Sequence, residues 1–182
     1  MARALGMVEY TTVSTGIQAA DTLVKTASVE IIEAQVVCPG KYIVIITGEL
    51  SAVKASVDAS RTLHGEKLID SFVLGNVHDD VFPAIYATAE VDNPRALGVI
   101  ETFSGASAIV AADAAAKSAD VKLVELRIAR GMCGKSYLML TGEVAAVSAA
   151  IENAMVAAKD RGMLLDTSVI PNPDPKLWEK IL

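Results

Sequence analysis

Residues 4–10 read ALGMVEY and residues 96–102 read ALGVIET. The fold turns on this pair, because similarity within one chain at a fixed spacing marks a duplicated structural unit. From Ala4 to Ala96 the shift is 92 positions, and the same shift carries AAD at 19–21 onto AAD at 111–113 and Lys25 onto Lys117. Further along, Gly40-Lys41 and Thr47-Gly48-Glu49 recur as Gly134-Lys135 and Thr141-Gly142-Glu143 at a shift of 94. Asp70 to Leu74 then match Asp166 to Ile170 at a shift of 96. The second copy therefore carries two extra residues just before its Gly-Lys turn. The sequence divides into a first repeat, 1–92, and a second, 93–182, which ends in a C-terminal tail. The join falls at Asp92-Asn93-Pro94, residue types that favour turns and linkers.

Each copy repeats one order of elements. ALGMVEY is a short apolar run that reads as a strand, and Val13 to Ala27 place Ile17, Ala20, Leu23 and Val24 at helical spacing with Ser14 as the expected N-cap. VEIIEAQVV and KYIVIITGE are rich in β-branched residues and flank Cys38-Pro39-Gly40, which predicts a hairpin. LSAVKASVDASRTLHGEK returns to helical periodicity and KLIDSFVLG to a strand. Strand, helix, strand, strand, helix, strand is the ferredoxin-like βαββαβ pattern, an α+β fold with helices on one face of an antiparallel sheet. The tandem duplication predicts two such domains.

Composition agrees with this reading. The chain of 182 residues is 52% hydrophobic but only 4% aromatic, so its core is built from Ala, Val, Ile and Leu, which suit close helix-on-sheet packing. A net charge of -6 offers no attraction to nucleic acid or to an anionic membrane. Charged residues interrupt every apolar run before it reaches the length of a membrane span, and Glu9 ends the first apolar stretch too early for a signal-peptide core. With two cysteines and no disulfide framework, the expectation is a cytoplasmic protein with reduced thiols.

GMVE, AADTLVKTASVE, the following turn and IITGELSAVKASVDA resemble the bacterial microcompartment shell-protein domain, and the resemblance extends over the second copy as well. Two copies in one chain are similar to the tandem, trimer-forming class of that family. CPGK at 38–41 and SVIPNPDPKLW at 168–178 look most like the iron-sulfur-cluster-carrying shell proteins of propanediol-utilisation compartments. The resemblance implies a pseudo-hexameric homotrimer, a flat tile with six repeats around a central pore lined by the turns between the second and third strands. In this chain those turns hold Pro39, Gly40 and Lys41 in the first repeat and Met132, Cys133, Gly134 and Lys135 in the second. It further implies that Cys38 is the metal ligand. Three-fold symmetry turns one thiolate per chain into three for an iron-sulfur cluster of the 4Fe-4S type shared by three subunits. Lys41 is a candidate to offset the negative charge of such a site, or to point away from it. Cys133 aligns with Pro39 rather than Cys38, which favours a supporting or packing role. Lys25 and Lys117 match the lysine at tile edges in this family, where other shell proteins join. The arginine between prolines that often accompanies it is missing, since Pro171-Asn172-Pro173 and Gly75-Asn76-Val77 stand in its place.

The resemblance implies a structural protein, not an enzyme, placed in the shell of a microcompartment, with electron transfer across the shell to an encapsulated redox enzyme. The alternative is a metal-free tile whose pore is a gate for small metabolites. A regulatory trimer of the same topology fits less well, because no long ligand-binding loop is present. No catalytic pattern competes. His64 lies among polar helix residues, His78 with Asp79 and Asp80 lacks further ligands at metal-binding spacing, and the acidic pair reads as the start of a helix through VFPAI. Trp178 reads as a staple holding the tail to its own domain.

Overall fold

The computed structural model describes residues 4–182, which form two compact units. One runs to Val77 and takes in Ala129–Gly134, and the other comprises His78–Ile128 and Lys135–Leu182.

The first unit follows the expected order: β1 (Ala4–Tyr10), α1 (Val13–Thr26), β2 (Val29–Val37), β3 (Lys41–Gly48), α2 (Leu50–His64), a single 3-10 turn at Gly65–Lys67 and β4 (Leu68–Leu74). Its strands lie in the order β2-β3-β1-β4 and every pair is antiparallel. All seven residues of β1 are buried, as the middle of a covered sheet requires. Alternate residues Ala4, Val8 and Tyr10 with Val44 and Ile46 form a core with Ala19 and Leu23 of α1 and Val53 and Val57 of α2. The glycine of GMVE is explained by this contact: a Cβ on Gly6 would lie 2.6 Å from Val53 Cγ1 and 3.0 Å from Val57 Cγ2. Gly98, its counterpart, is crowded in the same way by Val147 and Ile151 at 2.9 Å. A bare backbone lets the second helix of each repeat approach the sheet. The helix cap differs from expectation. Thr12, not Ser14, is the N-cap of α1, and its hydroxyl donates to Thr15 Oγ1 instead of capping a backbone N–H.

The second unit begins with α3 (Val81–Ile85) and continues with β5 (Ala96–Thr102), α4 (Gly105–Ser118), β6 (Val121–Arg127), β7 (Ser136–Gly142), α5 (Val144–Lys159), β8 (Leu164–Ile170) and α6 (Pro175–Ile181). Strand order is β6-β7-β5-β8. Even the register irregularities repeat at a shift of 92, with breaks at Ile31/Glu33 and Leu123/Glu125 and at Glu9/Tyr10 and Glu101/Thr102. Residues 78–92, grouped from the sequence with the first repeat, pack in the second unit, where α3 lies against β6 and α4. The reason is apolar burial: Val81, Ala84 and Ile85 find their cover there. The tail is held by Trp178, which is buried against Leu97, Val124 and Met139. Because side chains alternate across a strand, Leu97 lies on the opposite face from Gly98 and α5, so α6 gives this sheet a second cover beyond the one-sided packing expected.

Candidate functional site

The hairpin between β2 and β3 turns through Cys38, Pro39 and Gly40, with a cis peptide at Cys38-Pro39. The Gly40 amide donates to Val37 O at 2.9 Å and closes the turn. Gly40 has φ +103, in the range that side chains resist, while the space around it is open. Backbone conformation, not crowding, selects glycine there. The Cys38 thiol is half-buried, and Pro39 and Gly40 are exposed.

The corresponding loop of the second repeat packs in the first unit and seats on this turn. The Cys38 amide donates to Ala129 O at 3.2 Å. A Cβ on Gly134 would meet Lys41 Cε at 3.0 Å and Pro39 Cδ at 3.1 Å. Arg130 reaches across to pair with Glu33 of β2, whose second carboxylate oxygen is buried without a hydrogen-bond partner. The loop coils through four residues of positive φ: Ala129, Gly131, Cys133 and Gly134. The structure thus brings Cys38, Pro39, Gly40, Lys41 and Gly134 together, with Cys133 on the same loop and Met132 half-buried beside it. Cys133 is exposed, so it is not a packing residue of its own chain. Lys135 belongs to the second unit and faces Glu101 at 3.4 Å.

Lys41 does not present its charge at the tip of the turn. Its ammonium donates to Glu9 Oε1 at 2.8 Å and to Gly134 O at 3.3 Å. Glu9 is fully buried, and an ionised carboxylate out of water demands a cation. Of the two orientations left open by the sequence, the inward one is observed. The equivalent pair Lys135–Glu101 is much more solvated, with side chains 44% and 32% exposed against 16% and 0% for Lys41 and Glu9. Sequence reading missed this pairing, although Glu9 and Glu101 repeat at 92 and Lys41 and Lys135 at 94.

Beyond the second loop, Tyr137 of β7 donates to Glu125 Oε2 at 2.5 Å, and the Arg127 guanidinium lies 5.4 Å over its ring. Burial first, and then the Glu125 carboxylate, push the Tyr137 hydroxyl up to about 12. These contacts fasten the ends of the strands from which the second loop rises.

Among the described residues no three of His, Cys, Asp and Glu gather to hold a metal. His78 instead accepts from the Asp80 amide at Nδ1, its own amide donates to Asp113, and Asp80 pairs with Lys122 at 3.0 Å. His64 meets Thr22 at 3.0 Å and the edge of the Tyr10 ring. A single chain offers at most the two turn thiols of Cys38 and Cys133, too few for an iron-sulfur cluster, so its donor set fits one only when copies pool their cysteines. Lys25 and Lys117 end α1 and α4 and pair with Asp21 at 2.6 Å and Asp113 at 2.7 Å. Lys25 is the more open of the two.

A comparison of the repeats shows a further difference that the sequence alone hides. Ile17, Val24, Ile31 and Val36 are 55%, 42%, 41% and 55% exposed. Their counterparts at a shift of 92, Ile109, Ala116, Leu123 and Ile128, are buried.

The sequence profile of the BMC domain matches residues 4–77 and again 96–173. The chain is 37% identical over 182 residues to the bacterial microcompartment shell protein PduT of Citrobacter freundii, covering 100% of this chain and 99% of that one. Its backbone is similar to the crystal structure of a microcompartment protein from Desulfitobacterium hafniense DCB, with a TM-score of 0.85 and 47% identity over 98% of this chain and 99% of that chain. A fused permuted hexameric shell protein, MSM0275 of the RMM microcompartment, matches with a TM-score of 0.69 and 25% identity over 87% of this chain and 84% of that one.

Proposed function

This chain belongs to the BMC-domain family as a tandem-domain microcompartment shell protein, and we propose that three copies close into a pseudo-hexagonal tile whose axis gathers three Cys38 thiolates around an iron-sulfur cluster. The unequal burial of the repeats supports the trimer. The apolar face of α1 and β2 is open in one chain where the matching face of α4 and β6 is covered, and a neighbouring copy supplies the missing cover. Closed symmetry then places identical turns around one axis.

The observation that carries the metal reading is a half-buried thiol at the tip of a turn, one per chain, on the turn that lines the pore in this family. Three such thiolates hold three irons of a cubane. Such a cluster, when bound, supplies single-electron transfer between the two sides of the shell, with an enclosed redox enzyme as the partner. Pro39 and Gly40 shape the turn so that its backbone comes close to the site, and Lys25 and Lys117 lie at the edges where tiles meet. Lys41 favours the second reading, a metal-free pore for small metabolites, because its ammonium is committed to Glu9 and leaves the thiolates without that counter-charge.

Iron and sulfide analysis of anaerobically purified protein separates the two. The cluster reading expects about four irons for every three chains. Cys38→Ser removes all three thiolates at once and abolishes the broad visible absorption with the trimer intact, whereas Cys133→Ser keeps most of it. Unmutated protein that takes up no cluster from ferrous iron and sulfide establishes the metal-free pore instead.

A further inference from the structure

The chain has two cysteines, and they sit on two turns that touch. The Cys38 amide is bonded to Ala129 O at 3.2 Å, and Pro39 Cδ lies 3.1 Å from the Cβ position of Gly134. Residues 129 and 134 bracket Cys133, so its loop is tied to the Cys38 turn at both ends. Cys38 and Cys133 immediately precede the touching residues Pro39 and Gly134 and so lie on adjoining turns, and a disulfide, which prefers a Cα separation of roughly 5.5–6 Å, forms through a movement of the second loop. Gly131 and Gly134 flank Cys133 at positive φ and supply the backbone freedom for that movement. Both thiols reach solvent, Cys38 in part and Cys133 openly. Cys133, exposed in a single chain, takes no part in that chain's core.

We propose that Cys133 is the resolving thiol for Cys38 in the cluster-free protein. A peroxide oxidises the Cys38 thiolate by two electrons to the sulfenic acid and is itself reduced, hydrogen peroxide leaving as water. The Cys133 thiol then attacks the sulfenic sulfur, the S–O bond breaks, a second water departs and the Cys38–Cys133 disulfide forms. The bond keeps Cys38 from the irreversible sulfinic state, and a dithiol reductant returns both thiols. The proposal stands on the geometry of the two turns and holds whether or not Cys38 carries a cluster.

The test treats chelator-washed, reduced protein with hydrogen peroxide, blocks remaining thiols and digests with trypsin. The expected product links residues 26–41 to residues 131–135, two hydrogens lighter than the separate peptides, and the chain runs as a monomer on a non-reducing denaturing gel. In Cys133→Ser the same dose drives Cys38 to sulfinic acid or to Cys38–Cys38 cross-links between chains, and dithiothreitol recovers at least several-fold less free thiol after sulfinic formation than from the unmutated protein. Equal sulfinic yields in the two proteins, Cys38–Cys38 dimers as the main product of the unmutated chain, or two thiols that stay alkylatable throughout would each overturn it.

Discussion

Glu9 sits in the central strand with no exposure to solvent, and the Lys41 ammonium at 2.8 Å is the cation beside it. Removing one partner of a buried pair leaves an uncompensated charge, which costs about 3–5 kcal/mol, whereas exposed pairs contribute about 0–1 kcal/mol. Lys41→Met is therefore expected to destabilise the protein several-fold more than Lys135→Met, whose partner Glu101 is solvated. Urea unfolding of the two variants measures the difference, and equal losses would show that burial of Glu9 does not govern the pair. The same residue-level contrast separates the cysteines. Cys38 is held at the tip of a closed turn and Cys133 on a coiled loop of positive-φ residues, so equal chemistry in sequence becomes unequal position in space.

At the scale of elements, the two repeats share strand order and register but not cover. In the second unit α3 lies over α4 and β6, and the four apolar positions there are buried. In the first repeat Ile17, Val24, Ile31 and Val36 stay open. Ile17→Glu combined with Val36→Glu places charges where a neighbouring chain is expected, so the variant should fold with an unchanged circular-dichroism spectrum yet fail to form the trimer at micromolar concentration. A trimer that persists would move the contact to another face. The duplication, the βαββαβ order and the hairpin turns were legible because period and turn chemistry are local properties, as ALGMVEY, ALGVIET and CPG show. The placement of residues 78–92 was not, since NVHDDVFPAI is locally compatible with ending the first repeat or opening the second and only tertiary burial of Val81 and Ile85 decides. Nor did Ser14 compete as a cap, because the helix already begins at Val13 and Thr12 takes the cap position. The inward turn of Lys41 was hidden because nothing in a strand's alternation announces that Glu9 lacks water.

For the whole molecule, weak contacts gain force through repetition. Lys25 and Lys117 each make an i,i+4 pair within the chain, and such exposed pairs contribute little on their own. In the proposed tile every edge would present them again, so Lys25→Ala with Lys117→Ala is expected to leave the tile whole and shorten or abolish the sheets it builds. Electron microscopy of overexpressed protein reads this directly, and sheets of unchanged extent would remove both lysines from the edge.

A chain with two shell domains is expected to complete its ring with two more copies of itself. Multi-angle light scattering of the purified protein measures this most directly. With a chain of 19.0 kDa, the account predicts a particle of three chains, about 57 kDa, that Ile17→Glu with Val36→Glu reduces to one. A stable species of one chain, unchanged across the concentration range, would contradict it.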